Sequence, residues 1–276
     1  MLAEFIITFR EALEVSLIVS IILAYLERSG NHRYERHVYL GIAAGLVASV
    51  FVGLIFGEFN SNLAAWGIKK ELFEGVVIAL AVLMITWMIL WMLEHSRHLR
   101  KEIERKIETQ INRGYALGLA LFTFLSVLRE GFETVIFLGA AAFSAGGVSA
   151  WGALGGVAAA VVLAFLLFEF AMKINLGLFF NATSVLLIVF AAGLVAHAVH
   201  EFQEAGIIPE QEPLWSTKAI LDENSALGGV AHALTGYDDS PTPYQVVGWL
   251  AYYVVFALLY ANLKKLHPLM RLRTGA

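Results

Sequence analysis

Seven apolar runs dominate this chain, at about 4–26, 38–56, 73–93, 115–140, 149–171, 177–199 and 244–263. Each reaches the roughly 20 residues that a helix needs to cross a bilayer core. The runs are continuously apolar instead of alternating, which argues against the strands of a membrane β-barrel. A soluble domain is closer to half apolar and a quarter charged. Here 59% of residues are hydrophobic and 15% charged, with a mean hydropathy of +0.71. That excludes an ordinary cytosolic enzyme, a nucleic-acid binder and a disordered chain. The first run lacks a basic leader and is interrupted by Arg10-Glu11, so it reads as a retained helix and not as a signal peptide. The expected fold is an all-α integral membrane protein with seven transmembrane helices. The absence of cysteine removes disulfides, thiolate metal sites and cysteine nucleophiles.

Charge sets the expected orientation. Fourteen basic residues fall between the first and second runs (Arg28, Arg33, Arg36), between the third and fourth (Arg97, Arg100, Lys101, Arg105, Lys106, Arg113), after the fifth (Lys173) and after the last (Lys264, Lys265, Arg271, Arg273). The opposite side holds Lys69, Lys70 and Lys218. The positive-inside rule then puts the N-terminus outside and the C-terminus in the cytoplasm, in a plasma membrane that for a bacterium is the inner one. The acids follow the opposite trend, with twelve on the outer side and seven on the inner.

The remaining basic residues, Arg10 and Arg129, lie inside spans, and around them the sequence repeats. Phe9-Arg10-Glu11-Ala12-Leu13-Glu14 matches Leu128-Arg129-Glu130-Gly131-Phe132-Glu133. The following helices share Gly-xxx-Gly pairs, Gly41/Gly45 and Gly152/Gly156, which allow close backbone approach. The third helices match weakly. Three helices separate the copies, so the matching helices cross in opposite directions, as in the inverted repeats of secondary transporters. The architecture expected is a 3+3 inverted repeat plus one C-terminal helix within a single permease domain, 1–276. Repeat one covers about 1–93, repeat two about 114–200, an external loop 201–243 and the last helix 244–263.

Glu11 and Glu14, and likewise Glu130 and Glu133, share a helix face one turn apart, near the midplane. Arg10 reaches Glu14, and Arg129 reaches Glu133, at i,i+4 spacing. The six groups carry a formal charge of −2, and each ionised group at that depth costs at least about 2.5–3.5 kcal/mol. A packing-only ion network would more naturally balance its charges, so the surplus calls for a cation. Carboxylate oxygens suit Mg²⁺, Ca²⁺, Mn²⁺ or iron, and soft Cu⁺ prefers ligands absent here. Crowded carboxylates also take up protons. The residues by themselves point to a hard cation or a proton.

Two intramembrane Arg-Glu-x-x-Glu motifs in a seven-helix chain resemble the oxidase-dependent iron transporter family, the high-affinity iron permeases of fungi and bacteria. Further matching features are Glu71-Leu-Phe-Glu74-Gly75, Thr86-Trp87-Met88 and Glu204-Ala205-Gly206. The resemblance covers essentially the whole chain. It implies that Glu11, Glu14, Glu130 and Glu133 are iron ligands on a transport path, organised by Arg10 and Arg129. It also implies that iron, Fe²⁺ or Fe³⁺, is the substrate and not a resident cofactor, and that an external multicopper oxidase or periplasmic iron-handling protein is a partner. Where the family has Gly-Leu between the glutamates, this chain has Ala12-Leu13 and Gly131-Phe132. These departures spare every charged position.

An acidic outer face raises the local concentration of cations. On it, Glu71 and Glu74 open the third helix, and His197, His200, Glu201 and Glu204 share one face at the end of the sixth. These six form a candidate outer entry site, against the bland alternative of a solvated helix end. In the loop 201–243, Leu214–Leu221 is expected as a short interfacial helix, with Gly228-Gly229 and Pro241/Pro243 as turns. The stretch 94–113 reads as a solvated helix with pairs such as Glu102 with Lys106. Competing functions are an intramembrane di-iron carboxylate oxidoreductase and a permease or channel for lead, manganese or protons. The first is disfavoured because bundle di-iron sites use Glu-x-x-His motifs and no histidine sits at midplane depth.

Overall fold

In the computed structural model, the backbone is described outside residues 96–98, 113–114, 148, 170–175, 224 and 274–276, and side chains outside 94–101, 112–114, 148, 167–180, 224, 226 and 265–276. Arg97, Arg100, Lys101, Arg113, Lys173, Lys265, Arg271 and Arg273, on which part of the orientation argument rests, lie outside the described side chains. Among the described residues the chain is helical and without strands: α1 (Leu2–Arg28), α2 (Glu35–Ser61), α3 (Lys70–His95), α4 (Leu99–Asn112), α5 (Ala116–Ala145), α6 (Ala150–Glu169), α7 (Leu176–Glu204), α8 (Ala226–Thr235) and α9 (Pro243–Arg273). Each of the seven apolar runs coincides with one long helix.

By length and composition, α2, α3, α7 and α9 are able to cross a membrane, and α6 contains a shorter apolar stretch, Ala150–Leu166. Helices α1 and α5 are also long, 27 and 30 residues, but each carries an Arg, Glu, Glu set in its interior. Val47, Val50, Phe51 and Leu54 of α2 are all more than 60% exposed. An apolar stripe of that kind suits lipid contact better than water.

The chain divides into two compact units, one of residues 1–70 and 93–183, the other of 71–92 and 184–276. In the first unit α1 packs on α6, α2 packs on α5, and α1 crosses α5. Glycines make both long contacts possible. A Cβ on Gly45 would come within 2.7 Å of Val127 Cβ, and one on Gly156 within 2.8 Å of the Phe9 backbone nitrogen. Helix α1 is further tied to α6 by Thr8 Oγ1, which donates to the Ala153 carbonyl at 2.9 Å. The Ser149 amide donates to Glu4 Oε1 at 3.0 Å, so a carboxylate from α1 sits at the N-terminus of α6, where the helix dipole favours negative charge.

Gly57, also in α2, has nothing within 4 Å of a built Cβ and supplies the control for these contacts. Gly156→Ala forces two helix backbones apart and is expected to cost about 1–3 kcal/mol. Gly57→Ala is expected to be neutral or mildly stabilising, because alanine is the better helix former. Thermal midpoints of the two variants in detergent test this, and equal midpoints would remove the close-approach role of Gly156.

Helix α4 departs from the expected solvated helix on one face. Its Ile103 and Ile107 are buried with Ile22, Leu26, Tyr34, Val38 and Leu119, while the other face carries the expected pair, Lys106 Nζ to Glu102 Oε1 at 3.1 Å. The residues at i and i+4 give α4 an apolar stripe, and that stripe seals one end of the α1–α2–α5 packing.

In the second unit, Gly75 of α3 lies against Phe202 and Glu201 of α7, and Gly248 of α9 against Val195 and Val199. Tyr252 and Thr86 hydroxyls are 3.1 Å apart. The long loop differs from expectation in two places. Leu214–Leu221 is not a helix: the Leu214 and Thr217 amides donate across the loop to the Pro241 and Asp239 carbonyls at 2.9 and 2.7 Å, and only a single turn follows, with the Ile220 and Leu221 amides donating to the Thr217 carbonyl. Gly228-Gly229 is not a turn but lies inside α8, whose N-cap Ser225 accepts from the Gly228 amide at 3.0 Å. Gly228 is needed for close approach, since a Cβ there would meet the backbone of Asp222 and Glu223.

Candidate metal centre

Helical spacing in α1 puts Glu11 and Glu14 on one face, and the crossing with α5 brings Glu130 to them. Carboxylate oxygens of Glu11, Glu14 and Glu130 all lie within 4.8 Å of one another. All three residues are buried, as is Glu133, which stands outside that mutual set. Gly131, between Glu130 and Glu133, faces Ser49 of α2 with no room for a side chain. Phe132 points outward, half-exposed, and Leu13 is buried. Of the two departures from the family pattern, Ala12 is partly buried and Phe132 is exposed, whereas the matching Leu13 and Gly131 are the closely packed positions.

The arginines hold their acids differently. Arg10 Nη1 is 2.9 Å from Glu11 Oε1 and Arg10 Nη2 is 2.7 Å from Glu14 Oε1. Arg129 Nε is 2.8 Å from Glu133 Oε1 and 3.8 Å from Glu130 Oε1. Glu11 Oε2, Glu130 Oε2 and Glu133 Oε2 are buried and accept no hydrogen bond. Buried polar atoms are normally satisfied. Acceptor oxygens converging from two helices, with net negative charge, are the donor set a hard cation takes at bonds of about 2.0–2.6 Å.

The second unit contains the residues expected to form the entry site. His197 Nε2 is 3.2 Å from Glu201 Oε1, and His200 Nε2 is 3.3 Å from Glu204 Oε1. The first pair is largely buried and the second is half-exposed. Glu74 is buried and Glu71 partly so at the start of α3, where Gly75 meets Glu201. Sequence reasoning passed over two features. His232 of α8 packs edge-on against His197 at 5.9 Å, with Nδ1 2.8 Å from the Tyr237 carbonyl and 3.3 Å from Glu223 Oε1. Glu223, Asp238 and Asp239 gather oxygens within 4.8 Å. The only signal for the latter was the Asp238-Asp239 doublet, which read as part of a general acidic face. Asp239 accepts from the Glu223 amide and the Ser240 hydroxyl, and these hydrogen bonds hold its carboxyl below the usual range. Its oxygens thus organise the loop.

The chain matches the iron permease FTR1 family over residues 1–267. Among curated proteins it is 35% identical over 271 residues to the ferrous iron permease EfeU of Shigella sonnei (strain Ss046), covering 95% of both chains. It is 36% identical over 264 residues to the protein of that name from Escherichia coli O6:K15:H31 (strain 536 / UPEC), covering 92% of this chain and 93% of the relative. For the Yersinia pestis protein the figures are 32% over 264 residues, 94% and 93%. No solved structure matches the chain.

Proposed function

The chain belongs to the iron permease FTR1 family, a multi-pass membrane protein of a transporter class and not an enzyme, and from that premise we propose that it imports iron through the carboxylates where α1 crosses α5. The observation that carries this reading is the buried trio Glu11, Glu14 and Glu130, with oxygens within 4.8 Å of one another. Glu133 joins as a fourth ligand, and Arg10 and Arg129 position the set. The names of the relatives favour ferrous iron as the form carried. Iron is cargo here, and the reading requires no resident cofactor.

All seven long helices cross the membrane, with the N-terminus outside, the C-terminus in the cytoplasm, and six helices arranged as a 3+3 inverted repeat. The reciprocal packing supports the repeat: the second helix of each half lies on the first helix of the other, α2 on α5 and α6 on α1, through the matching glycine pairs. Glu71, Glu74, His197, His200, Glu201 and Glu204 form the entry site that collects the ion, with delivery from an external oxidase or iron-handling protein. In this orientation the membrane potential favours entry by about 2.3 kcal/mol per charge per 100 mV.

Purified protein in liposomes tests the proposal. With Fe²⁺ outside under anaerobic conditions, protein-containing vesicles are expected to load iron above protein-free vesicles, and faster with an inside-negative potential. Iron oxidation without entry would favour the di-iron oxidoreductase instead, and neither signal would overturn both.

A further inference from the structure

The motifs match in sequence, yet their arginines occupy unlike surroundings. Arg10 is 1% exposed and bridges two buried glutamates. The Arg129 side chain is 50% exposed, and its Nε is 2.8 Å from Glu133, the glutamate that stands outside the trio. Arg129 also lies on a face of α5 whose other exposed residues are Leu117, Leu121, Leu125 and Phe132. A guanidinium at mid-span is not left against hydrocarbon; such groups face water or protein.

We propose that Arg129 is a releasable clamp: from a water-accessible position it holds Glu133 out of the ligand set, and exchange of Glu133 between Arg129 and the ion governs loading and release. Arg10, by contrast, is a fixed counter-charge. This clamp deepens the iron-site reading and rests on it. It follows from two asymmetries. Glu133 has one oxygen on Arg129 Nε and the other buried without a hydrogen bond, so a small rotation changes its partner. Arg129 already has an exposed side to move toward, whereas Arg10 is enclosed.

Because the chain has no cysteine, substitutions supply single thiols against a clean background. In membrane vesicles, Arg129→Cys is expected to react with a membrane-impermeant cationic thiol reagent. Arg10→Cys is expected not to react, and neither is Leu125→Cys, one turn away on the same face. Equal protection at 129 and 125 would overturn the water-accessible position. This readout needs no transport, so it separates failure of the clamp from failure of the iron-site reading. In equilibrium dialysis with Fe²⁺, Arg129→Gln is expected to bind at least about tenfold more tightly, since it removes an opposing charge near the site and frees Glu133. In uptake it is expected to lower KM and maximal rate together, because release slows, with Arg129→Lys restoring both toward wild type. Weaker Fe²⁺ binding by a folded Arg129→Gln would make Arg129 a structural support and end the proposal.

Discussion

Liposomes carrying Glu130→Ala are expected to load no more iron than protein-free liposomes. Glu130 is the one residue of α5 whose oxygen lies within 4.8 Å of both Glu11 and Glu14, so its loss leaves a pair of ligands from a single helix. That pair is already held by Arg10 at 2.9 and 2.7 Å and has little negative charge to spare for a cation. Losing an outer-shell partner of a metal ligand costs about 10–100-fold, so losing a ligand itself is expected to reduce uptake by at least about a hundredfold. Glu130→Gln keeps the volume and one carbonyl oxygen and should lose nearly as much if charge is what the ion requires. Glu133→Gln should lose less, because Glu133 stands outside the mutual set. The Arg129–Glu133 pair at 2.8 Å survives in the Glu130 variants, so their thermal midpoints should stay close to wild type while flux collapses. Undiminished flux through folded Glu130→Ala would remove the crossing of α1 and α5 from the transport path.

Helix placement was legible because continuous apolar runs leave the backbone few alternatives to internal hydrogen bonding in a membrane. The Arg10–Glu14 and Arg129–Glu133 pairs were legible for a similar reason, since i,i+4 spacing is a property of a single helix. What could not be read depends on which helices meet. The Gly-xxx-Gly pairs announced close contacts without naming the partners, which turn out to be α5 for the pair in α2 and α1 for the pair in α6. Spacing within α1 pairs Glu11 with Glu14, but the arrival of Glu130 beside them, with Glu133 set aside, depends on the crossing of α1 over α5. The contact of His197 with His232 spans a loop whose course is set by cross-loop bonds such as Thr217 to Asp239. Within that loop, glycine propensity pointed to a turn at 228–229, whereas the need to bring α8 close to Asp222 and Glu223 decided the outcome. The identical motifs also hid the difference between Arg10 and Arg129, because exposure is a property of surroundings that a motif does not encode.

Arg10→Met is expected to destabilise the protein by about 3–5 kcal/mol, the usual cost of removing one partner from a buried ion pair. Methionine fills comparable volume, so the loss reports charge more than cavity. Arg10 is 1% exposed, and its two partners are buried with it; without it, Glu11 and Glu14 remain beside Glu130 with their nearest counter-charge gone. The comparable change at Arg129 should cost much less, because that side chain is half-exposed and solvent screens its pair. A triple variant separates charge from packing. Arg10→Met combined with Glu11→Gln and Glu14→Gln removes the stranded charges along with the cation, and replacing a whole buried network is often close to neutral. The triple variant is therefore expected to recover most of the lost thermal midpoint in detergent while loading no iron. If Arg10→Met alone were as stable as wild type, Arg10 would not be the counter-charge of this cluster. If the triple variant stayed as unstable as the single one, the guanidinium would matter for its shape and hydrogen bonds and not for its charge. The expected result, fold recovered and uptake still absent, would mean that the same two glutamates that make Arg10 necessary for folding are retained because the ion requires them.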